Sequence, residues 1–241
     1  MDFRAKHWIL RKLMISIVIP TMMEVNRDIF YYTIKQATKS DIVDRIIIID
    51  NSTHRFSREI PLKSTKIIVR SMTKNIFVNP SWNIGVSLST SDNVLIMNDD
   101  ILCHKEVYRQ VNEVMRYENM GLCSVTTKNC NNVKEYLKNI DDFNERISTK
   151  ETFDNQNNNK TGWFFCVKKN LWRDIPEKLL IFYGDDLIYD RVRHMKYLTK
   201  NISSCIIGHA GSQTVNKNVN IQNILIEEHR VYQKEKDDYL R

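Results

Sequence analysis

Cysteine is scarce in this 241-residue chain, and its spacing excludes two common uses. The five cysteines are an odd number, which argues against a disulfide framework, and no two of them form the C-x-x-C pair that holds structural zinc. We therefore expect reduced thiols and a cytoplasmic protein, located in the host cytoplasm if the protein is viral.

Long apolar runs are missing as well. No window approaches the roughly 18 to 20 uninterrupted apolar residues that span a bilayer, and the sequence shows no transit peptide or internal repeat. A transmembrane segment is therefore not expected. Glycine is rare, at 6 residues, while Asn, Lys and Ile are frequent, a bias typical of an AT-rich coding genome.

Acidic residues are outnumbered by basic ones, 29 against 36, and the sequence pI is about 9.1. Such a surface attracts anions such as phosphates, nucleic acid or acidic lipids. Residues 1–13 mix basic and aromatic side chains, which suits contact with a membrane or a nucleic-acid backbone but also an ordinary solvated segment. With 42% hydrophobic residues, the chain predicts one main domain at 14–215 and a helical tail at 216–241.

Short apolar runs alternate with helical patterns along the first half of the chain. Strands are predicted at residues 15–20, 45–49, 66–69 and 94–97, and helices at 28–40, 82–88 and 105–117. Further strands are predicted at 162–167 and 202–207, whereas the polar stretch 129–160 predicts a mobile loop or lid that can contain short helices. This order predicts an α/β fold in which helices cover both faces of a mostly parallel, Rossmann-like central sheet.

Polar residues follow two of the predicted strands, at the edge where such sheets bind ligands. Asn98, Asp99 and Asp100 follow strand 94–97, and Asp50 follows strand 45–49. Oxygen ligands at this edge suit Mg²⁺ or Mn²⁺ bridging a diphosphate, and Asp50 suits a ribose or a base. The Asn98–Asp100 run is also explained by a turn with a helix cap, and Asp50 is also explained by an Asx turn.

Asp185 and Asp186 form a second acidic pair, directly after Gly184. Repulsion between adjacent carboxylates in a partly buried site would raise the pKa of one of them towards that of a general base. The alternative is structural, because acidic residues also favour the N-terminus of a helix and a helical pattern follows this pair.

Two further segments carry candidate side chains. His209 precedes small residues that leave room for a phosphate or a metal ion, although a lone histidine usually has a structural role. Trp163 and Phe164 follow Gly162, and their aromatic faces suit either an acceptor pocket or the hydrophobic core.

Taken in order, these segments resemble the family-2 glycosyltransferases of the GT-A fold. The matching motifs are residues 15–21 (ISIVIPT), 46–50 (IIIID), 83–85 (NIG), 95–100 (LIMNDD), 162–165 (GWFF), 184–186 (GDD) and 208–212 (GHAGS). Each motif is weak by itself, but seven motifs in the family's order are hard to obtain by chance. The likeness covers residues 14–214.

The resemblance implies transfer from a UDP-sugar by one inverting displacement, assisted by Mn²⁺ or Mg²⁺. Asp100 matches the last carboxylate of the family's D-x-D motif, Asn98 replaces the first, and His209 matches a histidine of the metal shell. Asp186 matches the general base, with Asp185 beside it. Nucleotide-sugar contacts are implied for Pro20, Thr21, Asp50, Asn83 and Asp99, and acceptor contacts for Gly162, Trp163 and Phe164.

The acceptor is a separate hypothesis. The basic surface and the AT-rich composition suggest a viral or bacterial enzyme that acts on a polyanion. Some bacteriophage enzymes that glycosylate 5-hydroxymethylcytosine in DNA resemble this family, so hydroxymethylated DNA, with the base reached through the groove or flipped out, is one predicted acceptor. Lipopolysaccharide, a capsule glycan or a protein side chain is the alternative.

Two other interpretations stay open. A non-catalytic module that binds nucleotide sugars or nucleic acid would keep the fold. In that case Asn98 would mark the loss of a carboxylate that binds the metal ion. A nucleotidyltransferase shares a related sheet and also uses metal-bound carboxylates. However, the glycine-rich signature with Arg and Lys that such an enzyme carries near its first strand is missing here.

Overall fold

The computed structural model describes residues 14–24, 27–130, 132–144, 160–211 and 221–241. The predicted basic segment 1–13 and the second half of the predicted loop, residues 145–159, lie outside the described residues. The same holds for residues 212–220, which include Ser212 of the last motif.

The described residues form alternating strands and helices. The strands are β1 (Ile15–Thr21), β2 (Val43–Asp50), β3 (Ile67–Ser71), β4 (Asn93–Met97), β5 (Ile101–Leu102), β6 (Met120–Asn129), β7 (Phe164–Lys168) and β8 (Leu198–His209). The helices are α1 (Arg27–Lys39), α2 (Arg55–Glu59), α3 (Val78–Leu88), α4 (Lys105–Val114), α5 (Val133–Asn144), α6 (Gly184–His194) and α7 (Ile221–Leu240), with a 3₁₀ turn at Lys169–Leu171. None of the helices in the described ranges is long and apolar enough to cross a bilayer.

All of these strands join one sheet in the order β3-β2-β1-β4-β7-β6-β8-β5. β1 to β4 pair with one another in parallel, and β6 pairs with β8 in parallel. β7 is antiparallel to both β4 and β6, and β5 is antiparallel to β8. The predicted α/β fold with a mostly parallel sheet is therefore confirmed.

The central strands are apolar at consecutive positions because both faces of the sheet are covered. Successive side chains of a strand point to opposite faces, so β1 contributes to two cores. Ile17 and Ile19 pack in one core with the inner side of α1, while Val18 packs in the other with Trp82 and Val86 of α3. All three β1 side chains are fully buried.

Two elements differ from the sequence prediction. β6 was not predicted, although it lies between β7 and β8 and its first six residues are buried. The start of the predicted loop is instead the twelve-residue helix α5. Tyr136 anchors this polar helix, since its buried hydroxyl donates to the backbone oxygen of Ile206 at 3.2 Å and accepts from the backbone N–H of His104 at 3.1 Å.

Helix α3 begins one turn earlier than predicted, at Val78. Pro80 is tolerated in this first turn because N–H groups there have no partner within the helix. At the other end of the helix, Gly85 lets α3 approach β1 closely, because a Cβ atom at this position would lie 2.1 Å from Cγ1 of Val18. The glycine of the predicted NIG motif thus has a packing role.

We expect Gly85→Ala to lower the free energy of unfolding by about 1–3 kcal/mol, since the added methyl group overpacks a rigid strand. Urea denaturation followed by circular dichroism measures this change. Ser87→Ala, on the exposed side of the same helix, is the control and should change stability by less than about 0.5 kcal/mol. Equal stability of the two variants would contradict the close packing of α3 on β1.

Candidate functional site

A cavity of about 450 Å³ opens where the parallel strands β1, β2 and β4 end. This size lies within the range of small-molecule binding sites. The cavity is lined by Pro20, Thr21, Met22, Glu24, Asn51, Asn75, Phe77, Val78, Trp82, Asn98, Asp99, Asp100, Gly162, Trp163, Ile181, Phe182, Tyr183, Asp185, Asp186, Ile221 and Leu225. The structure thus brings together most of the residues predicted from separate motifs.

The ends of β1 and β4 are joined by a side-chain hydrogen bond. Thr21 Oγ1 donates to Asp99 Oδ2 at 2.6 Å and accepts from the backbone N–H of Met23 at 2.9 Å. Burial raises the pKa of Asp99 to about 7, although the bond from Thr21 opposes this rise. Asp99 therefore lines the cavity in an orientation that its hydrogen bond from Thr21 of β1 fixes.

Asp100 and His209 form a buried pair beside this wall. His209 Nε2 lies 3.1 Å from Asp100 Oδ2, without the alignment of a hydrogen bond, and Asp100 Oδ1 has no partner in the described structure. The pair is held by β5 and β8, because Ile101 pairs with His209 in the register of these strands. Trp163 stacks on the imidazole with ring centroids 5.3 Å apart and an interplanar angle of 14°.

Carboxylate oxygen and imidazole nitrogen atoms that are buried without hydrogen-bond partners are also the kinds of atom that bind Mn²⁺ in proteins. Asn98 lines the cavity two residues before Asp100 and offers a neutral amide oxygen. No group of three His, Cys, Asp or Glu side chains that would hold a metal occurs in the part of the chain described by the structure. A cation here would therefore complete its shell with water, with the amide oxygen of Asn98 or with oxygen atoms of the substrate.

Asp185 and Asp186 lie in the first turn of α6 and both face the cavity. Burial, and then the charge of Asp186, raises the pKa of Asp185 to about 6. Gly162 permits this arrangement, because a Cβ atom there would lie 2.7 Å from Asp185 Oδ2. Gly184 is equally constrained, since its Cβ would lie 2.2 Å from Oδ1 of Asn79.

Lys160 was not identified from the sequence, yet it binds the predicted base. Its Nζ lies 2.8 Å from Asp186 Oδ1 and 2.9 Å from Asp190 Oδ1, and Lys236 of α7 contacts the other oxygen of Asp190 at 2.9 Å. Burial alone would lower the pKa of Lys160, but hydrogen bonds to the two aspartates outweigh it and raise that pKa. An ion-pair chain therefore runs from Asp186 to the C-terminal helix.

Two residues predicted to bind the nucleotide sugar are engaged within the protein. Asp50 is fully buried and accepts hydrogen bonds from the backbone N–H and the hydroxyl of Ser52, which is the predicted Asx-turn alternative. Asn83 bonds the backbone oxygen and N–H of Ile175 at 2.9 and 3.0 Å. Neither lines the cavity, whereas Asn51, next to Asp50, does.

Of the predicted acceptor residues, Gly162 and Trp163 line the cavity and Phe164 does not. Phe164 is fully buried in the core that contains Ile17 and Ile19, whereas the next residue of β7, Phe165, faces the other core. In the described structure Phe164 packs in the core, and its contact with the acceptor stays a prediction.

Several residues that line the cavity were not predicted from the sequence, because they are marked by backbone conformation or by tertiary contacts and not by a local sequence pattern. Phe77 and Tyr183 adopt φ angles of 65° and 61°, values that are costly for large side chains and that cluster at functional sites. Ile221 and Leu225 of the C-terminal helix α7 also line the cavity. Such contacts depend on the docking of distant segments.

Comparison with known proteins agrees with this architecture. The sequence profile described as Glycosyl transferase family 2 matches residues 16–206. Among solved structures, S. aureus TarS 1–349 in complex with UDP-GlcNAc superimposes with a TM-score of 0.64 at 13% identity, over 94% of this chain and 70% of that chain. TarS 1–349 in complex with UDP gives 0.59 at 13% identity, over 94% and 69% of the two chains.

The chain spans 43% of the longer S. aureus TarS structure, with a TM-score of 0.57 and 10% identity. A search of curated proteins gave no match. The likeness to TarS shows a shared fold at this level of identity, while the family profile covers more than half of the chain. The chain belongs to glycosyl transferase family 2 and is a glycosyltransferase that moves a sugar from a nucleotide-sugar donor.

Proposed function

We propose that this enzyme transfers a sugar from a UDP-sugar to an acceptor hydroxyl by one inverting displacement, with Asp186 as the general base. The observation that carries the proposal is the single cavity in which the polar ends of β1 and β4 meet the acidic first turn of α6. An acceptor hydroxyl between the two would have a carboxylate on one side and the donor diphosphate on the other.

The donor is proposed to lie along the β1 and α3 side of the cavity. Asn75 offers an amide group for a nucleobase or a ribose, and Phe77 and Trp82 offer aromatic surface. The amide of Asn51 is bonded to Ser81 and to the backbone of Ile76, so it shapes this side of the cavity. Uridine is favoured because the TarS structures of the same fold contain UDP and UDP-GlcNAc. The cavity volume of about 450 Å³ suits a ligand of nucleotide-sugar size.

Asp100 and His209 are proposed to hold a divalent cation, with Asn98 as a neutral or water-mediated neighbour. Their buried atoms without hydrogen-bond partners, Asp100 Oδ1 and His209 Nε2, support this assignment. When bound, such an ion supplies positive charge that stabilises the departing diphosphate. Replacement of a carboxylate by Asn98 predicts weaker cation binding than a site with two carboxylates would have.

The proton of the acceptor hydroxyl is proposed to move to a carboxylate oxygen of Asp186 as the oxygen attacks the anomeric carbon. Lys160 contacts only Oδ1 of Asp186 among the described contacts, which leaves Oδ2 for the acceptor. Asp185, more deeply buried, is proposed to orient this pair.

For the acceptor, we propose 5-hydroxymethylcytosine in DNA. The net charge of +7 favours a polyanion, and the cavity offers the aromatic rings of Trp163, Phe182 and Tyr183 for stacking on a base. Aromatic rings also stack on sugars, so a glycan acceptor is the competing outcome of the test.

The proposed base predicts that Asp186→Asn lowers kcat for UDP-sugar turnover by about 100-fold or more, because the amide cannot accept the proton. Hydrolysis of UDP-GlcNAc and other UDP-sugars in the presence of Mn²⁺ provides the assay. Asp92→Asn, at the opposite end of β4, is the control and should keep wild-type activity. If Asp185→Asn alone abolishes turnover, the base is Asp185. If the wild-type protein neither hydrolyses nor transfers any nucleotide sugar, it is a binding module.

The proposed cation site predicts that Asn98→Asp lowers the Mn²⁺ concentration for half-maximal activity, on the order of tenfold, since it adds a charged ligand. Titration of Mn²⁺ in the presence of UDP, followed by electron paramagnetic resonance, measures binding independently of turnover. Asn223→Asp adds a carboxylate at an exposed position that does not line the cavity and should leave the Mn²⁺ dependence unchanged. A shift of equal size in both variants would argue against a site at Asp100.

The proposed acceptor predicts that duplex DNA containing 5-hydroxymethylcytosine gains the mass of one sugar per modified base. Gel-shift binding should weaken strongly between about 50 and 200 mM salt, since phosphate contacts release counterions. Unmodified DNA of the same sequence should bind but receive no sugar. Transfer to lipopolysaccharide or a capsule glycan without transfer to DNA would overturn this acceptor.

A further inference from the structure

Residues 180–183 form the part of the cavity wall that immediately precedes the acidic turn of α6. Ile181, Phe182 and Tyr183 line the cavity, and Gly184 begins the helix. This segment is not a strand or a helix, so its backbone groups need partners from other elements. The position of Asp185 and Asp186 depends on where this segment is held.

Glu228 of α7 binds the segment through its carboxylate. Oε1 accepts from the backbone N–H of Leu180 at 2.9 Å, and Oε2 accepts from that of Phe182 at 2.7 Å. The N–H of Ile181 lies between them, 3.1 and 3.2 Å from the two oxygens. Three successive N–H groups thus converge on one side chain that is only 3% exposed.

Asn79 of α3 holds the same segment from the other side. Its backbone N–H donates to the oxygen of Leu180 at 2.9 Å, and its side-chain amide donates to the oxygen of Phe182 at 3.0 Å. Its fully buried side chain also lies against Gly184. The segment is therefore fixed between α3 and α7 through both its N–H and its C=O groups.

Helix α7 is itself held in place by other elements, so the position of Glu228 is well defined. Arg191 donates to the backbone oxygens of Tyr239 and Leu240 at 3.0 and 3.3 Å, which satisfies carbonyl groups at the C-terminus of α7. Near the segment, Tyr183 stacks on Tyr232 with ring centroids 4.9 Å apart. Near the N-terminus of α7, Leu225 lines the cavity.

We propose that Glu228 is a positioning residue for the transfer reaction: by binding the N–H groups of residues 180–182 it sets the place of Asp185 and Asp186 relative to the donor. This inference rests on the proposed function. A carboxylate is required because both of its oxygens accept. An amide at the same position would present an NH₂ group to N–H donors.

The test compares Glu228→Ala and Glu228→Gln with wild type, and uses Glu227→Ala, an exposed neighbour on α7, as the matched control. UDP-GlcNAc hydrolysis with Mn²⁺ gives kcat and KM, UDP titration gives a Kd, and hydrogen exchange reports the amides of residues 180–182. Circular dichroism gives the folded fraction of each variant.

We expect kcat of Glu228→Ala to fall about tenfold to a hundredfold, since small displacements of a catalytic group are costly. The kcat of Glu228→Gln should fall less, because one acceptor oxygen remains. The Kd for UDP should stay within about twofold of wild type, since the proposed donor side does not include this segment. Amide exchange at 180–182 should accelerate in both variants, and Glu227→Ala should match wild type.

Two results would overturn the positioning role. One is a kcat of Glu228→Ala within twofold of wild type while exchange at 180–182 accelerates. The other is a loss of activity in Glu228→Ala that is fully accounted for by a smaller folded fraction and weaker UDP binding. A wild-type protein that turns over no nucleotide sugar would instead contradict the proposed function, and the exchange measurement would still decide whether Glu228 holds the segment.

Discussion

The hydrogen bond from Thr21 to Asp99 joins the ends of two adjacent parallel strands, and the polar wall of the cavity is built around it. β1 and β4 pair in parallel register, so their carboxyl ends reach the same edge of the sheet. From β4 the chain continues through Asp100 into β5, whose pairing with β8 brings in His209. The candidate cation ligands are thus positioned by backbone pairing rather than by flexible loops.

The opposite wall is assembled differently. Residues 180–183 have no strand partner, and Asn79 and Glu228 hold them through hydrogen bonds to their backbone. The acidic turn that follows is linked through Lys160 and Asp190 to α7. One wall therefore belongs to the rigid sheet, while the other depends on polar contacts between segments far apart in sequence. The second wall is more sensitive to single substitutions, since a buried polar group that loses its partner is costly.

Much of the fold could be predicted because its information is local. The β-branched runs of β1 and β2 predict strands buried on both faces, and the structure buries them on both faces. β6 escaped prediction because its later residues, such as Thr126 and Thr127, lack a continuous apolar run, and pairing with β8 makes them a strand. Helix α5 escaped because its composition is polar, and one buried tyrosine, Tyr136, secures it.

At the site, the sequence by itself determined which carboxylates follow strands, since strand ends and the residues after them are adjacent along the chain. Only the tertiary structure decided the partners of each side chain. It placed Asp50 in an internal turn, Asn83 against Ile175 and Phe164 in the core. It also brought Glu228 to Leu180, 48 residues away in sequence. Local pattern specifies burial and strand ends, whereas a contact between distant segments exists only after the chain has packed.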